Sequence, residues 1–161
     1  MSASRSAQAD ANTDFEIREI RDALPDRLTP LRREALEEGY GFVERLYRDW
    51  DAGEVRFEEE DERLLCIWVD GEIAAIGGVT RDPSDQRCLR MRRFYVRAAF
   101  RRKGLARKLA LSLLDILRTS QREIRVNAGT EIAPRFWESI GFEAVRAKEH
   151  THILRRTDRR A

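Results

Sequence analysis

The sequence predicts a single α+β domain, and three observations support that prediction. The chain has 161 residues, enough for one hydrophobic core and too few for two ordinary domains. Its hydrophobic fraction of 42% is normal for a globular protein. Segments with strand-like and helix-like apolar spacing follow one another without a repeat or a linker. We expect the domain to span residues 15–155, with polar tails at 1–14 and 156–161.

The first part of the domain is predicted to contain one strand and two helices. Glu16–Ile20 has a weak strand pattern. Thr29 is placed as the N-cap of a helix whose first residue is Pro30 and whose last is Glu38. A glycine-containing break separates it from a second helix over 42–52, where apolar residues share one side.

A β-hairpin follows. Leu64–Val69 and Glu72–Thr80 are strand-like, and Asp-Gly between them supplies the positive φ angles that a two-residue hairpin turn requires. Gly77–Gly78 inside the second strand predicts a bulge or the close approach of another backbone. Arg81–Gln86 contains a proline and is predicted to be a loop.

The second half is predicted to alternate strands and helices. The helix that begins at Leu105 has apolar residues at intervals of three and four, which indicates a core-facing stripe. Gly141 is placed as a left-handed cap. The predicted elements are strand 89–96, helix 105–117, strand 124–127, helix 134–140 and strands 142–145 and 151–154.

The most informative stretch joins strand 89–96 to the helix that starts at Leu105. It reads Arg101-Arg102-Lys103-Gly104-Leu105-Ala106. The first turn of a helix has unpaired backbone N–H groups and the positive end of the helix dipole. Gly104 and Ala106 would let an anion approach those amides closely, because neither has a bulky side chain. The segment from Arg87 to Leu114 contains ten basic residues and no acid, which favours an anion site.

Composition limits the other possibilities. The net charge of +2 does not require a polyanionic partner, so we expect no nucleic acid. Two cysteines form neither a disulfide framework nor a metal site, so no metal is expected and a reducing cytoplasm is the expected location. The sequence has no apolar run approaching the ~20 residues that span a bilayer, so no membrane association is expected.

Two motifs resemble the GNAT superfamily of N-acetyltransferases. The first is Phe94 to Ala106, which is similar to the family's central strand and pyrophosphate loop. The second is Phe136-Trp137-Glu138-Ser139-Ile140-Gly141-Phe142, which is similar to a late aromatic segment of the family. The resemblance covers residues 15–155. It implies a mixed, mostly antiparallel sheet of six to seven strands with about four helices on its two faces.

The resemblance also implies acetyl-CoA as co-substrate and a set of residues that bind it. Phe94, Tyr95 and Val96 would bind the pantetheine arm, with the Phe94 backbone amide near the thioester carbonyl. The remaining candidates are the amides of Arg101, Arg102, Lys103, Gly104, Leu105 and Ala106 for the pyrophosphate, the side chains of Arg102, Lys103 and Arg107 for its charge, and Asn127 and Trp137 for the cofactor arm. The three cations are equally compatible with a solvated surface, and Asn127 with a strand end.

The implied reaction is direct attack of a primary amine, on a small molecule or a peptide, on the acetyl group. The family often has a tyrosine acid where this chain has Trp137, and a glutamate base where it has Arg90. The acid and base are therefore unassigned. His150 and His152 are weak candidates because we expect both on one face of the last strand, where a merely packed histidine is the commoner case. Tyr40 is a weak candidate for the acceptor pocket, with local packing as the alternative.

Two other functions remain open at this stage. A catalytically degenerate protein that binds acetyl-CoA as a sensor or partner module would also lack the usual acid and base. A nucleic-acid-binding protein would use the arginine-rich segment, but the small net charge and the lack of a matching motif disfavour it. A homodimer is compatible with the resemblance.

Overall fold

The fold is a seven-stranded mixed sheet with helices on both faces. The computed structural model describes residues 15–129 and 132–155. The strands are β1 (Phe15–Glu19), β2 (Arg63–Val69), β3 (Glu72–Asp82), β4 (Asp85–Val96), β5 (Ile124–Val126), β6 (Glu143–Ala144) and β7 (His152–Leu154). They lie in the order β1-β2-β3-β4-β5-β7-β6, and only the β4–β5 pair is parallel.

Four α-helices cover this sheet within the described residues. They are α1 (Thr29–Glu37), α2 (Phe42–Asp51), α3 (Leu105–Ile116) and α4 (Pro134–Ser139). Short 3-10 turns at Asp26–Leu28 and Ala98–Phe100 precede α1 and follow β4. The predicted α+β fold class, with its mostly antiparallel sheet, is confirmed. Among the described residues, no helix is both long and apolar enough to cross a membrane.

Three sequence-based predictions about the elements were wrong. Arg81–Gln86 is not a loop, because β3 continues to Asp82, β4 begins at Asp85, and only two residues turn the chain. The Asp82 carboxylate accepts hydrogen bonds from the Ser84 amide at 3.0 Å and from the Ser84 hydroxyl at 2.9 Å, which closes this tight turn.

Thr29 is the first helical residue of α1 rather than its N-cap, because a 3-10 turn leads directly into the helix. His150 precedes β7 instead of lying in it.

Each face of the sheet has its own hydrophobic core. Side chains of α1 and α2, such as Leu31 and Leu46, pack with β2, β3 and β4 on one face. Side chains of α3 and α4, such as Leu109 and Trp137, pack on the other face, where β5 also contributes. We refer to these as the α1/α2 face and the α3/α4 face. The apolar stripe predicted for α3 is confirmed, since Leu105, Leu109 and Leu113 are all buried.

A bulge in β4 determines which side chains point to which face. Ile76 pairs with Tyr95 and Gly78 with Arg92, so two residues of β4, Arg93 and Phe94, lie opposite Gly77. Arg93 has a φ of 66°, an unusual value for a residue with a side chain. Because one extra residue reverses the alternation, the ring of Phe94 enters the α3/α4 core. Tyr95 enters the α1/α2 core for the same reason.

The predicted irregularity at Gly77–Gly78 is present, but the extra residue belongs to β4. The close neighbours are aromatic rings and, at Gly78, also the backbone carbonyl oxygen of Arg63, 3.0 Å from the position of an added Cβ atom. A Cβ atom on Gly77 would lie 2.8 Å from Cε2 of Phe94. A Cβ atom on Gly78 would lie 2.7 Å from Cε2 of Phe57. The absence of a side chain at Gly77 therefore allows the Phe94 ring to lie flat against β3.

We predict that Gly77→Ala destabilises the fold. The added methyl group would collide with the buried Phe94 ring, and overpacking of a core costs typically about 1–3 kcal/mol. Chemical denaturation would measure the change in the free energy of unfolding. Gly41→Ala is the matched control, because its Cβ would meet only the end of the Arg45 side chain, at 3.4 Å. Equal stability of wild type and Gly77→Ala would contradict this assignment of the bulge.

Candidate active site

A cleft opens where β4 and β5 separate. The two strands pair only from Leu89 with Ile124 to Met91 with Val126, whereas β4 continues to Val96. The cleft has a volume of about 570 Å³. Its lining residues are Tyr40, Phe42, Phe94, Tyr95, Val96, Phe100, Arg101, Arg102, Leu105, Ala106, Gly129, Ile132, Ala133 and Pro134. The end of β4 and the predicted anion turn thus line one continuous space.

The anion turn presents a run of unpaired backbone donors. The amides of residues 102–107 donate no hydrogen bond to another described residue. Gly104 has a φ of 78° and directly precedes α3, and a Cβ atom there would meet open space. The amide of Arg101 differs, because it donates to the Ala98 carbonyl at 3.3 Å. The donors available to an anion therefore begin at Arg102 rather than at Arg101.

Cationic side chains surround this turn. Arg102 and Lys103 are exposed and form no ion pair with a described residue. Arg107 extends from the first turn of α3 toward α4, where it lies 3.4 Å from the Ser139 hydroxyl oxygen. These three side chains and the amides of the turn produce a local positive potential without a neutralising carboxylate at the turn itself.

The α3/α4 side of the cleft has a rigid aromatic support. Phe94 packs edge-to-face on Trp137, with the ring centroids 5.1 Å apart. Trp137 is completely buried, and its Nε1 has no hydrogen-bond partner among the described residues. Neither Trp137 nor Asn127, which directly follows β5, belongs to the residues that line the cleft. Trp137 therefore acts on the cleft through Phe94, and direct contact of either residue with a cofactor stays a prediction.

Three aromatic rings form the wall on the α1/α2 side. The ring centroids of Tyr40 and Phe42 are 5.8 Å apart, and those of Tyr40 and Tyr95 are 6.0 Å apart. Phe42 and Tyr95 are buried, whereas Tyr40 remains 42% exposed at the edge of the cleft. Tyr40 therefore lines the cleft, and its contact with an acceptor stays a prediction.

Glu34 of α1 and Glu38, which directly follows α1, connect this wall to the anion turn. The Tyr95 hydroxyl donates its proton to the Glu38 carboxylate, and its oxygen lies 3.2 Å from a carboxylate oxygen of Glu34. The Arg101 guanidinium binds Glu38, with one contact of 3.1 Å, and also donates to the Val96 carbonyl at 2.9 Å. Glu34 additionally accepts from the Ala98 amide at 2.6 Å. We call Glu34, Glu38, Tyr95 and Arg101 the carboxylate clamp.

The clamp fixes the protonation states of Tyr95 and Glu38. Burial and the hydrogen bond to the Glu38 carboxylate raise the pKa of Tyr95 far above its ordinary value, so its hydroxyl stays protonated and donates. Hydrogen bonds from Arg101 and Tyr95 lower the pKa of Glu38, so its carboxylate stays charged. Arg101 was predicted to bind the cofactor through its amide, and both its amide and its side chain are used within the protein.

The two histidines do not share a face, contrary to the sequence-based expectation. His152 is buried on the α3/α4 face, with Nε2 2.8 Å from the Glu138 carboxylate and Nδ1 2.9 Å from the Thr151 hydroxyl. His150 lies before β7 and within electrostatic range of Arg125 and Arg90. Neither histidine lines the cleft. His152 is a packed, hydrogen-bonded residue, which was the commoner alternative for it.

Sequence reasoning missed several residues of this site. Glu34 lies in α1 and Glu38 is its C-cap, four residues later and on the same side of the helix, and this spacing was the available signal. Their partners in the clamp lie about sixty positions later in the chain, so the contacts could not be inferred from local patterns. The other missed lining residues are Phe42, Phe100, Gly129, Ile132, Ala133 and Pro134.

Comparison with known proteins agrees with this architecture. The family model described as Acetyltransferase (GNAT) family matches residues 21–142 of the chain. No curated protein sequence compared with the chain gave a significant match. Solved structures similar in fold include a candidate acetyltransferase from Exiguobacterium sp. 255-15, with a TM-score of 0.80, 23% identity, and coverage of 90% of this chain and 95% of that one.

Two further similar structures contain the coenzyme. One is the GNAT family N-acetyltransferase YhbS from Escherichia coli in complex with CoA, with a TM-score of 0.65, 18% identity, and coverage of 90% of this chain and 83% of that one. The other is the PaiA N-acetyltransferase from Thermoplasma acidophilum in complex with coenzyme A. Its TM-score is 0.65, its sequence identity is 16%, and the match covers 88% of this chain and 97% of that one. At these sequence identities, the three similarities show a shared fold and no more than that.

We predict that Glu38→Gln lowers the free energy of unfolding at pH 7 by about 1 kcal/mol, because it weakens a charge-assisted hydrogen bond at a partly exposed site. The folded-state pKa of Glu38 lies below the ordinary value of 4.5, so the carboxylate stabilises the fold above that pH and loses this effect as the pH falls.

The difference between wild type and Glu38→Gln should therefore be largest near neutral pH and shrink toward pH 3. Denaturant titrations across this range would measure it. Glu37→Gln, an exposed neighbour, is the control and should not change the stability. A difference that is independent of pH would show that the carboxylate charge is not the source of the effect.

Proposed function

The chain belongs to the acetyltransferase (GNAT) family, and we propose that it transfers the acetyl group of acetyl-CoA to a primary amine. The acceptor is a small molecule or an amine of a peptide or protein. Both substrates would be bound together, with direct transfer between them in a ternary complex. The domain that carries out the reaction comprises residues 15–155.

One observation carries this proposal: a run of unpaired amides and an apolar wedge line a single cleft. Residues 102–107 offer their N–H groups at the N-terminus of α3, which suits a pyrophosphate. Phe94, Val96 and Leu105 offer an apolar surface next to them, which suits the pantetheine arm. YhbS and PaiA, which share this fold, were each solved with the coenzyme bound.

The transfer forms one bond and breaks another. The amine nitrogen attacks the acetyl carbonyl carbon, the carbon–sulfur bond breaks, and the products are an N-substituted acetamide and the free thiol of CoA. Holding both reactants in the cleft removes much of the entropic part of the barrier. A backbone donor at Phe94, directed at the carbonyl oxygen, would stabilise the negative charge that develops on that oxygen.

Proton transfer places a condition on the acceptor. The described lining residues include no histidine, aspartate, glutamate or lysine that could act as the base. The indole of Trp137 can donate a hydrogen bond but is not a usable acid. We therefore propose that the amine enters as the neutral species and that water carries its proton away and protonates the leaving thiolate.

We predict that Gly104→Glu abolishes the binding of acetyl-CoA. The glutamate adds bulk in front of the turn amides and repels the pyrophosphate by its charge. Calorimetric titration should give micromolar binding for the wild type and none for the variant. Gly53→Glu is the matched control, because Gly53 also has a positive φ, of 74°, but follows α2 and is not part of the anion turn.

Absence of binding by the wild type, or unchanged binding by Gly104→Glu, would contradict the proposed cofactor site. Binding without turnover of any amine in a broad panel would instead favour a degenerate acetyl-CoA-binding protein. Circular dichroism of each variant is needed to show that its fold is intact.

We further predict that kcat/KM follows the protonation of the acceptor. The logarithm of kcat/KM should rise by about one for each pH unit until the pKa of the amine itself is reached, because only the neutral amine reacts. Two acceptors with different amine pKa values should give profiles displaced by that difference. A shared inflection near pH 7 with both acceptors would reveal a protein base and contradict the proposal.

A further inference from the structure

Outside its hydrophobic core, the α1/α2 face of the sheet carries two arginines in neighbouring strands. Its hydrophobic core takes side chains from β2, β3 and β4 and ends with Tyr95. Further across the sheet, Thr80, Arg90, Arg125 and Ile153 lie side by side in register on β3, β4, β5 and β7. Residues paired in register share a face, so Arg90 and Arg125 are neighbours on this face. We call this row the basic row.

The carboxylates near the basic row form ion pairs with Arg125. Its guanidinium lies 3.1 Å from the buried Asp82 carboxylate and 2.8 Å from Glu123. Asp85 lies 3.8 Å from Arg125 and 3.0 Å from Arg87. These three carboxylates therefore form their ion pairs with Arg125 and Arg87 rather than with Arg90.

Arg90 has no comparable partner. Its side chain is only partly exposed, and it forms no hydrogen bond or ion pair with another residue of the described ranges. A guanidinium that is partly removed from water without a counter-ion is costly, unless an anion joins it.

His150 is a second polar residue within electrostatic range of Arg90. Its Nδ1 atom is buried and has no hydrogen-bond partner among the described residues. Burial and the positive charge of Arg125 lower the pKa of His150, and Arg90 acts in the same direction. The imidazole thus remains neutral near pH 7 and can donate one N–H to an anion.

The basic row adjoins the point where the cleft begins, although none of its residues lines the cleft. Met91 and Val126 form the last β4–β5 pair before the strands separate, and Arg90 directly precedes Met91. Arg90 and Phe94 are four residues apart, at most about 13 Å along an extended strand. The α1/α2 face, which presents the row, is also the face from which Tyr40 and Tyr95 line the cleft.

We propose that Arg90 and His150 bind an anionic group of the acceptor, so that the substrate is a primary amine that also carries a phosphate or a carboxylate. This inference rests on the proposed acetyl transfer. The anionic group would be held beside the point where the cleft begins while the amine reaches toward Phe94. Arg90 acts in this scheme as a specificity residue and takes no part in the bond changes.

The test compares matched pairs of acceptors at saturating acetyl-CoA. O-phosphoethanolamine is paired with ethanolamine, and β-alanine with propylamine, so that the phosphate and the carboxylate are assessed separately. At least one anionic acceptor should have a kcat/KM tenfold or more above that of its neutral partner. Arg90→Gln should remove this preference through KM and leave the reaction of the neutral amines unchanged.

Arg87→Gln is the matched control, because it removes the same charge from the same strand at an exposed residue paired with Asp85. It should retain the preference. Equal rates for the anionic and neutral members of both pairs would overturn the proposal. So would an equal effect of Arg90→Gln and Arg87→Gln.

A binding measurement does not depend on turnover. O-phosphoethanolamine and β-alanine are titrated calorimetrically into the CoA-saturated protein, in which the anion turn is already occupied. Binding of either compound should be at least tenfold weaker in Arg90→Gln and unchanged in Arg87→Gln, and absence of binding of both to the wild type would overturn the proposal. If the proposed function is wrong, the wild-type protein will not bind CoA. That result is distinct from a failure of the CoA-saturated protein to bind O-phosphoethanolamine and β-alanine.

Discussion

The extra residue in β4 is the constraint on which the rest of the site depends. Without the bulge at Arg93, the alternation of the strand would direct Tyr95 into the α3/α4 core and Phe94 toward α1 and α2. With it, Phe94 packs on Trp137 and Tyr95 reaches the carboxylates of the clamp. The Arg93 guanidinium lies 3.5 Å from the Asp49 carboxylate of α2, in a nearly buried position. This contact helps to hold a backbone conformation that is otherwise unfavourable for a residue with a side chain.

The carboxylate clamp connects the two halves of the proposed reaction site. Glu38 is followed by Gly39 and Tyr40, so the wall of the acceptor side begins where the clamp ends. Arg101 begins the turn that would hold the pyrophosphate. A displacement of either segment would break contacts that hold the other, so the cofactor turn and the acceptor wall are expected to move together. The clamp therefore positions residues for the reaction without touching the reacting atoms.

The sequence was sufficient for features that depend on neighbouring residues. The Asp-Gly hairpin, the stripe of α3 and the turn at Gly104 are each defined within about a dozen residues, and the structure contains all three. The tight turn at Asp82 was missed because a proline-containing polar run resembles a loop. The clamp and the separation of the histidines were missed because both depend on which residues the sheet brings together. Arg90 was noticed only as an unexpected residue, and its lack of a partner among the described residues could be seen only in the fold.

The most direct test of this account is a crystal structure of the protein with acetyl-CoA. The account predicts the pyrophosphate on the amides that begin at Arg102, and the thioester oxygen about 3 Å from the Phe94 amide nitrogen. It also predicts that Arg101 remains bound to Glu38. A pyrophosphate bound elsewhere, or a thioester that lies outside the wedge between β4 and β5, would contradict the account.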